Sequence, residues 1–98
     1  WRSSAVFETS FAECRRLTRH HAKSFYFSSF TLPPAKRRAA YAVYAFCRYA
    51  DDYIDRAVAE GRGLDDAEEK LKGVLTDAFE GRGELPWMPA FWLTVHAY

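Results

Sequence analysis

The 98-residue chain has no Asn, no Gln, one Met, two Cys, four Pro and five Gly. So little Gly and Pro excludes collagen-like and flexible-linker classes. Two cysteines fall far short of a disulfide framework; Cys14 and Cys47 lie in helical patterns and are expected as buried, reduced thiols. The longest unbroken apolar run, Ala39 to Cys47, is nine residues and too short to cross a bilayer. No charged segment followed by an apolar core is visible as a secretion signal, although the chain begins at Trp1 rather than Met. Acidic side chains are scarce at first: residues 1–48 carry nine Lys/Arg against two Asp/Glu, whereas residues 49–98 carry five against eleven. Such asymmetry marks either an anion-binding half beside a cation-binding half or two differently solvated surfaces. The missing amides fit a heat-adapted or biased source and say nothing of function.

What is present is apolar and aromatic. At 49% hydrophobic and 17% aromatic the chain is not a disordered tail, and its length suits one small core. Val6, Phe7, Phe11, Cys14 and Leu17 recur at helical spacing and give a first amphipathic helix, with Arg15, Arg16 and Arg19 largely off the apolar face. Residues 23–31 suit either a strand or a short helix packed by Phe25, Phe27 and Phe30. For most of the aromatics Phe25, Tyr26, Phe27 and Phe30, core packing is the expectation. Pro33-Pro34 opens a long helix to about Glu60, stopped by Gly61 and Gly63. Gly61-Arg62-Gly63 is a poor phosphate loop, because no strand precedes it. Asp65 or Asp66 is expected to cap a helix bearing Leu71, Val74, Leu75 and Phe79, closed by Gly81. A final apolar helix runs from Met88 to Tyr98. It has no C-cap, so the chain reads as cut within a helix.

On the long helix, Val43, Phe46, Cys47, Ala50 and Ile54 share one arc at about 100° per residue, the expected core face. Beside it runs a stripe of Tyr44, Arg48, Asp51 and Asp55, while Asp52 points to the outer surface. Asp51 and Asp55 stand one turn apart, close enough to face one cation. Two readings follow. Arg48 pairs with one of the two carboxylates in a solvated cluster, the commoner outcome on spacing alone. Alternatively Mg²⁺ bridges both to a substrate phosphate, with Arg48 gripping the phosphate and Tyr44 offering a hydroxyl or a ring face. His20 and His21 are adjacent, point in different directions and lack a Cys/His partner set for a metal; His21 suits a phosphate-facing or helix-terminal role. Lys36-Arg37-Arg38 lacks an aromatic stacking platform and reads as a solvated face, not a nucleic-acid site.

Three strings, in order over residues 20–55, resemble the squalene/phytoene synthase family. Tyr44-Ala-Phe-Cys-Arg-Tyr-Ala-Asp-Asp-Tyr-Ile-Asp55 is similar to its first aspartate-rich motif. His21-Ala-Lys-Ser-Phe-Tyr26 resembles its substrate-binding segment, and Leu32-Pro-Pro-Ala-Lys-Arg-Arg38 the stretch joining the two. The resemblance implies an all-α chain, the N-terminal helices of a class I isoprenoid synthase fold. Residues 1–98 would then be the N-terminal part of one such domain, truncated at its C-terminal end. It implies head-to-head condensation of two prenyl diphosphates, farnesyl or geranylgeranyl, through a cyclopropylcarbinyl diphosphate. Asp51 and Asp55 match the ligands of Mg²⁺ (or Mn²⁺). His21, Ala22, Lys23, Ser24 and Phe25 match the diphosphate-contacting segment, and Tyr44 and Arg48 match further substrate contacts. NADPH enters only if squalene is formed. A cytoplasmic location with room for a peripheral membrane contact is expected, and no nucleic acid. Substrate length, product and oligomeric state stay open. The family's second aspartate motif is absent, so the 98 residues alone are expected to be inactive. A rival reading is a non-catalytic helical module that buries its aromatics on a partner.

Overall fold

A computed structural model describes residues 3–97, and among them helices are the sole regular structure. Helix α1 spans Ser4–His21, α2 Lys23–Ser28, α3 Pro34–Ala59, α4 Leu64–Glu80 and α5 Met88–Ala97; a single 3₁₀ turn, Ser29–Thr31, joins α2 to α3. Residues 23–31 are therefore helical, the second of the two expectations for them. Ser3 caps α1, its hydroxyl accepting from the Val6 N–H at 3.4 Å. Arg19, His20 and His21 fill its last turn, where the Arg19 cation opposes the negative end of the helix dipole. Pro34 starts α3 with its preset φ. Residue Gly63, not Asp65 or Asp66, occupies the N-cap of α4 and has no side chain to cap with; the two aspartates fall in the first turn, where the dipole favours them. Gly81 closes α4 at φ 78°, a left-handed conformation that costs glycine nothing. The last helix reaches Ala97, and Tyr98 lies outside the described residues.

Helix α1 lies along α3, while α5 packs against α1, α3 and α4. The core they enclose contains Phe11, Cys14, Tyr26, Tyr41, Ala42, Ala45, Ala78, Trp87, Met88, Ala90 and Phe91. On α1 the buried side chains are Ser10, Phe11, Cys14 and Thr18, with Phe7 and Leu17 half-buried and Val6 exposed. Thr18 is tolerated inside because its hydroxyl donates to the Cys14 carbonyl at 2.8 Å. Ser10 does more: its Oγ donates to the Pro86 carbonyl at 2.6 Å and accepts from the Ala90 N–H at 2.9 Å. That pair of bonds pins the start of α5 to α1. Burial pushes the Cys14 thiol up to about 12, so it stays protonated.

The core face of α3 is not the expected arc. Tyr41, Ala42, Ala45 and Ala57 are buried and Phe46 and Tyr49 pack on the core, whereas Val43, Cys47 and Ile54 are exposed. The segment 39–47 is apolar all round, so periodicity cannot choose a face there; close approach of α1 and α5 to small alanines does. Cys47 is accordingly a free, exposed cysteine instead of a buried one. Of the four aromatics at 25–30 only Tyr26 is buried, and Phe25, Phe27 and Phe30 are exposed, because one side of so short a helix can reach the core. Arg37 and Arg38 are more than a solvated run: the Arg37 guanidinium lies 5.0 Å from the Phe30 ring centroid and that of Arg38 4.6 Å from Phe11.

Replacing Ser10 by Ala leaves the Pro86 carbonyl and Ala90 N–H without their partner. Ser10→Ala is expected to lower the unfolding free energy by about 1–3 kcal/mol. Its exposed neighbour Thr9→Ala should change it by less than about 0.5 kcal/mol. Urea unfolding of the two variants makes the comparison, and equal losses would remove the clasp from this account.

Candidate functional site

The site forms where the end of α1 and α2 meet the middle of α3. Helix α1 stops at Ala22, whose φ of −140° and ψ of 67° leave the helical region. Its N–H still donates to the Thr18 carbonyl at 2.8 Å and its own carbonyl accepts from Tyr26 N–H at 2.8 Å, so the break is a bonded joint. From that joint Phe25 reaches α3 and stacks on Tyr44, with ring centroids 5.9 Å apart and planes 23° from parallel.

Below the joint a polar knot, buried at Tyr26, Ser29 and Tyr41 and exposed at Arg15, fixes the approach. Arg15 donates to the Tyr26 hydroxyl from Nε at 3.2 Å and from a terminal nitrogen at 2.9 Å. Tyr26 stacks on Tyr41 at 5.8 Å, and the hydroxyls of Tyr41 and Ser29 lie 2.6 Å apart. Ser29 also donates to the Tyr26 carbonyl. The sequence placed Arg15 off the apolar face and Tyr26 among the core aromatics but did not give this pairing, and Ser29 and Tyr41 were not singled out; the usable signal was a run of hydroxyl-bearing residues around two tyrosines.

His21 is exposed at the end of α1, and its ring meets that of His20 edge to face at 4.6 Å. The two rings thus touch instead of diverging, which the end of the helix at Ala22 permits. The His21 pKa is lowered from 6.5, first by partial desolvation and then by the Arg48 guanidinium, with His20 and Arg16 acting in the same sense against Asp52. This places Arg48 within electrostatic reach of α1. Arg48 itself bonds to Asp52 through Nε at 3.2 Å. The partner expected on the stripe, Asp51 or Asp55, is therefore replaced by Asp52, the i+4 neighbour, which is tied to the site and not simply turned outward.

Asp51 and Asp55 are exposed and, among the described residues, have no hydrogen-bond or ion-pair partner. No group of three or more metal-ligating side chains occurs among those residues. The donor set is thus two adjacent carboxylates, which suits a hard cation that draws its remaining ligands from water and phosphate oxygens. Lys23 and Ser24 are exposed and make no hydrogen bond or ion pair among the described residues. By helix geometry Lys23 stands about 160° around α2 from Phe25, so Phe25, not Lys23, is the side chain brought onto Tyr44.

Next to the stripe the exposed arc of α3 forms a wall. Phe46 and Ile54 of α3 with Leu64, Leu71 and Leu75 of α4 line an open apolar groove of about 430 Å³. Periodicity had assigned Ile54 to the core; that assignment hid the groove. A second groove, about 410 Å³ and lined by residues such as Val6, Leu85 and Pro89, lies near the start of α1, remote from the carboxylates.

The described residues thus combine, in an all-helical chain, a stripe of two carboxylates, a joint flanked by cations and an adjoining apolar groove. The squalene/phytoene synthase family model matches residues 18–97, and the chain belongs to that family, whose fold is a helical isoprenoid synthase fold. Among curated proteins it is 38% identical over 73 residues to the 15-cis-phytoene synthase of Synechocystis sp., covering 71% of this chain and 22% of that one. It is 44% identical over 63 residues to the phytoene synthase of Cereibacter sphaeroides, covering 64% and 18%. With that of Arthrospira platensis the identity is 36% over 76 residues, covering 74% and 25%. The chain spans between about a sixth and a quarter of these relatives' lengths. No solved structure matches it significantly.

The lowered pKa of His21 gives a direct readout of the site. A histidine whose folded pKa is depressed contributes stability above its unfolded value, and that contribution is lost as pH falls through the folded value. On an exposed ring the effect on stability is small, so the titration itself is the measurement. Followed by NMR, His21 should titrate below 6.5, and Arg48→Gln should move the midpoint upward without removing the whole shift. An unchanged midpoint in Arg48→Gln would separate α1 from the stripe.

Proposed function

We propose that this chain supplies the first diphosphate subsite of an enzyme that joins two prenyl diphosphates head to head, with phytoene as the product its relatives' names favour. The observation that carries the reading is the Asp51–Asp55 pair, without a partner among the described residues, beside Arg48 on the same helix and the joint that follows His21. Asp51 and Asp55 would hold Mg²⁺ (or Mn²⁺), which when bound supplies positive charge to a departing diphosphate. Arg48 is placed to leave Asp52 for a phosphate oxygen, because an exposed i,i+4 pair is held weakly and a guanidinium matches phosphate geometry. His21, exposed at the joint, offers a further donor to the same anion. The Phe25–Tyr44 stack flanks the head with π-faces that favour positive charge on an allylic cation, and the Tyr44 hydroxyl is a donor or acceptor within reach of the same stripe. The groove between α3 and α4 takes the start of a prenyl tail, where burial of apolar surface contributes affinity.

In the reaction so assigned, one diphosphate leaves with its bonding electron pair and the allylic cation is captured by the double bond of the second substrate. Loss of a proton closes the cyclopropane. Departure of the second diphosphate and rearrangement follow; a further proton loss gives phytoene, whereas squalene requires hydride from NADPH.

Water must be kept from such cations, and the site of these residues is open. The chain alone with Mg²⁺ and geranylgeranyl diphosphate should therefore yield no product. Residues 18–97 placed into the matching region of the Cereibacter sphaeroides protein should support phytoene formation. In that chimera Asp51→Asn and Asp55→Asn should each cost roughly 10²-fold or more in turnover, with unchanged helix content. Near-wild-type turnover of both variants under limiting Mg²⁺ would overturn the assignment, as would an active isolated chain.

A further inference from the structure

Arg48 is the cation of the acidic stripe, and it does not stand free. Asp51, Asp52 and Asp55 follow it on α3 at three, four and seven positions. The guanidinium takes Asp52, Nε to Oδ2 at 3.2 Å, with the two side chains 38% and 48% exposed. Asp51 and Asp55 are left without a hydrogen-bond or ion-pair partner among the described residues.

Asp52 has a second cation at the same spacing on its other side. Arg56 lies four positions further on, and an acid that precedes its cation at i,i+4 is the better order in a helix. Asp52 nevertheless bonds to Arg48, and Arg56 makes no ion pair among the described residues. The pairing thus runs against the local preference. The lowered pKa of His21, set first by desolvation and then by Arg48, is opposed by Asp52, so both partners lie within electrostatic reach of the end of α1.

A guanidinium paired in this way has its charge spent before any anion arrives. The bond is open to exchange, since an exposed pair contributes little and a phosphate oxygen makes a charge-assisted contact that matches the guanidinium fork. An anion that takes Arg48 must still displace Asp52, and it leaves that carboxylate unpaired beside it. A further anchor recovers the loss, and Asp51 with Asp55 offer one through a shared cation.

We propose that Asp52 is a positioning residue that masks Arg48 and competes with the diphosphate for it. Each anion that engages the guanidinium binds more weakly than it would without Asp52. A lone phosphate therefore gains little at the stripe, while a diphosphate anchored also by the cation still settles. This role rests on the diphosphate reading of the site and adds to it the residue that sets its threshold. Asp52 itself needs no contact with substrate or metal.

Amide NMR titration of the chain with inorganic diphosphate in excess Mg²⁺ tests the role without catalysis. Asp52→Asn should bind diphosphate roughly two- to fivefold more tightly than the wild type, the span of an exposed ion pair, with unchanged circular dichroism. A gain is the signature of competition, because loss of a merely structural contact would weaken binding or leave it as it was. Arg48→Gln should bind more weakly, and adding Asp52→Asn to it should restore nothing. That double-mutant cycle separates the coupling from the general effect of removing a negative charge. Equal or weaker binding in Asp52→Asn, or the same gain with Arg48 present and absent, would overturn the masking role and leave the diphosphate site standing. A wild type that shows no shift at residues 21–25 and 48–55 would overturn the site itself, and the mask with it.

Discussion

Four elements meet at the ring of Tyr41. It is 1% exposed, stacks on Tyr26 of α2 and shares a hydroxyl contact with Ser29 of the 3₁₀ turn. Tyr26 in turn takes both hydrogen bonds from Arg15 of α1. Without that knot the break at Ala22 would be a free hinge, because α2 is only six residues long and a helix so short has little stability of its own. With it, the direction in which α2 leaves α1 is fixed relative to α3. Phe25 falls on Tyr44, and His21 feels the charge of Arg48.

Charge then divides the labour along one helix. The middle of α3 turns alanines and Tyr41 inward, and this leaves Val43, Cys47 and Ile54 on the outside beside the acidic stripe. An apolar wall next to two unpaired carboxylates is an unfavourable surface for a small helical chain in water. On the proposed function, a cation and an amphiphile with an anionic head would relieve both costs. The same segregation leaves Arg15, bonded to Tyr26, and Arg37, over the Phe30 ring, beside α2 and the turn after it.

Much of this was legible beforehand, and the parts that were not fail for identifiable reasons. Pro34, Gly63 and Gly81 mark helix ends by backbone constraint alone, and the start of α3 and both ends of α4 fall within a residue of those marks. Spacing at 3.6 residues placed Tyr44, Arg48, Asp51 and Asp55 on one stripe, and the helix keeps them there. The family resemblance of three short strings was found again over residues 18–97. Periodicity could not orient Ala39–Cys47, apolar on every side, so the core face was placed roughly a quarter-turn away and Cys47 was expected inside. It also gave Arg48 the wrong partner: Asp52 is its i,i+4 neighbour, the spacing that favours an ion pair, whereas Asp55 lies seven positions on. The knot of Arg15, Tyr26, Ser29 and Tyr41 joins residues as much as 26 positions apart in sequence, and no local pattern encodes such a contact.

The central claim is that the joint ending α1 and the stripe on α3 face one anion. Manganese broadening of backbone amide signals tests it most directly, with Mn²⁺ added in the presence and absence of inorganic diphosphate. With diphosphate, the amides of residues 21–25 and 51–55 are predicted to broaden together; without it, broadening should be weaker and confined to 51–55. Broadening that never reaches residues 21–25, or that centres on the acidic first turn of α4 at Asp65 and Asp66, would contradict the account.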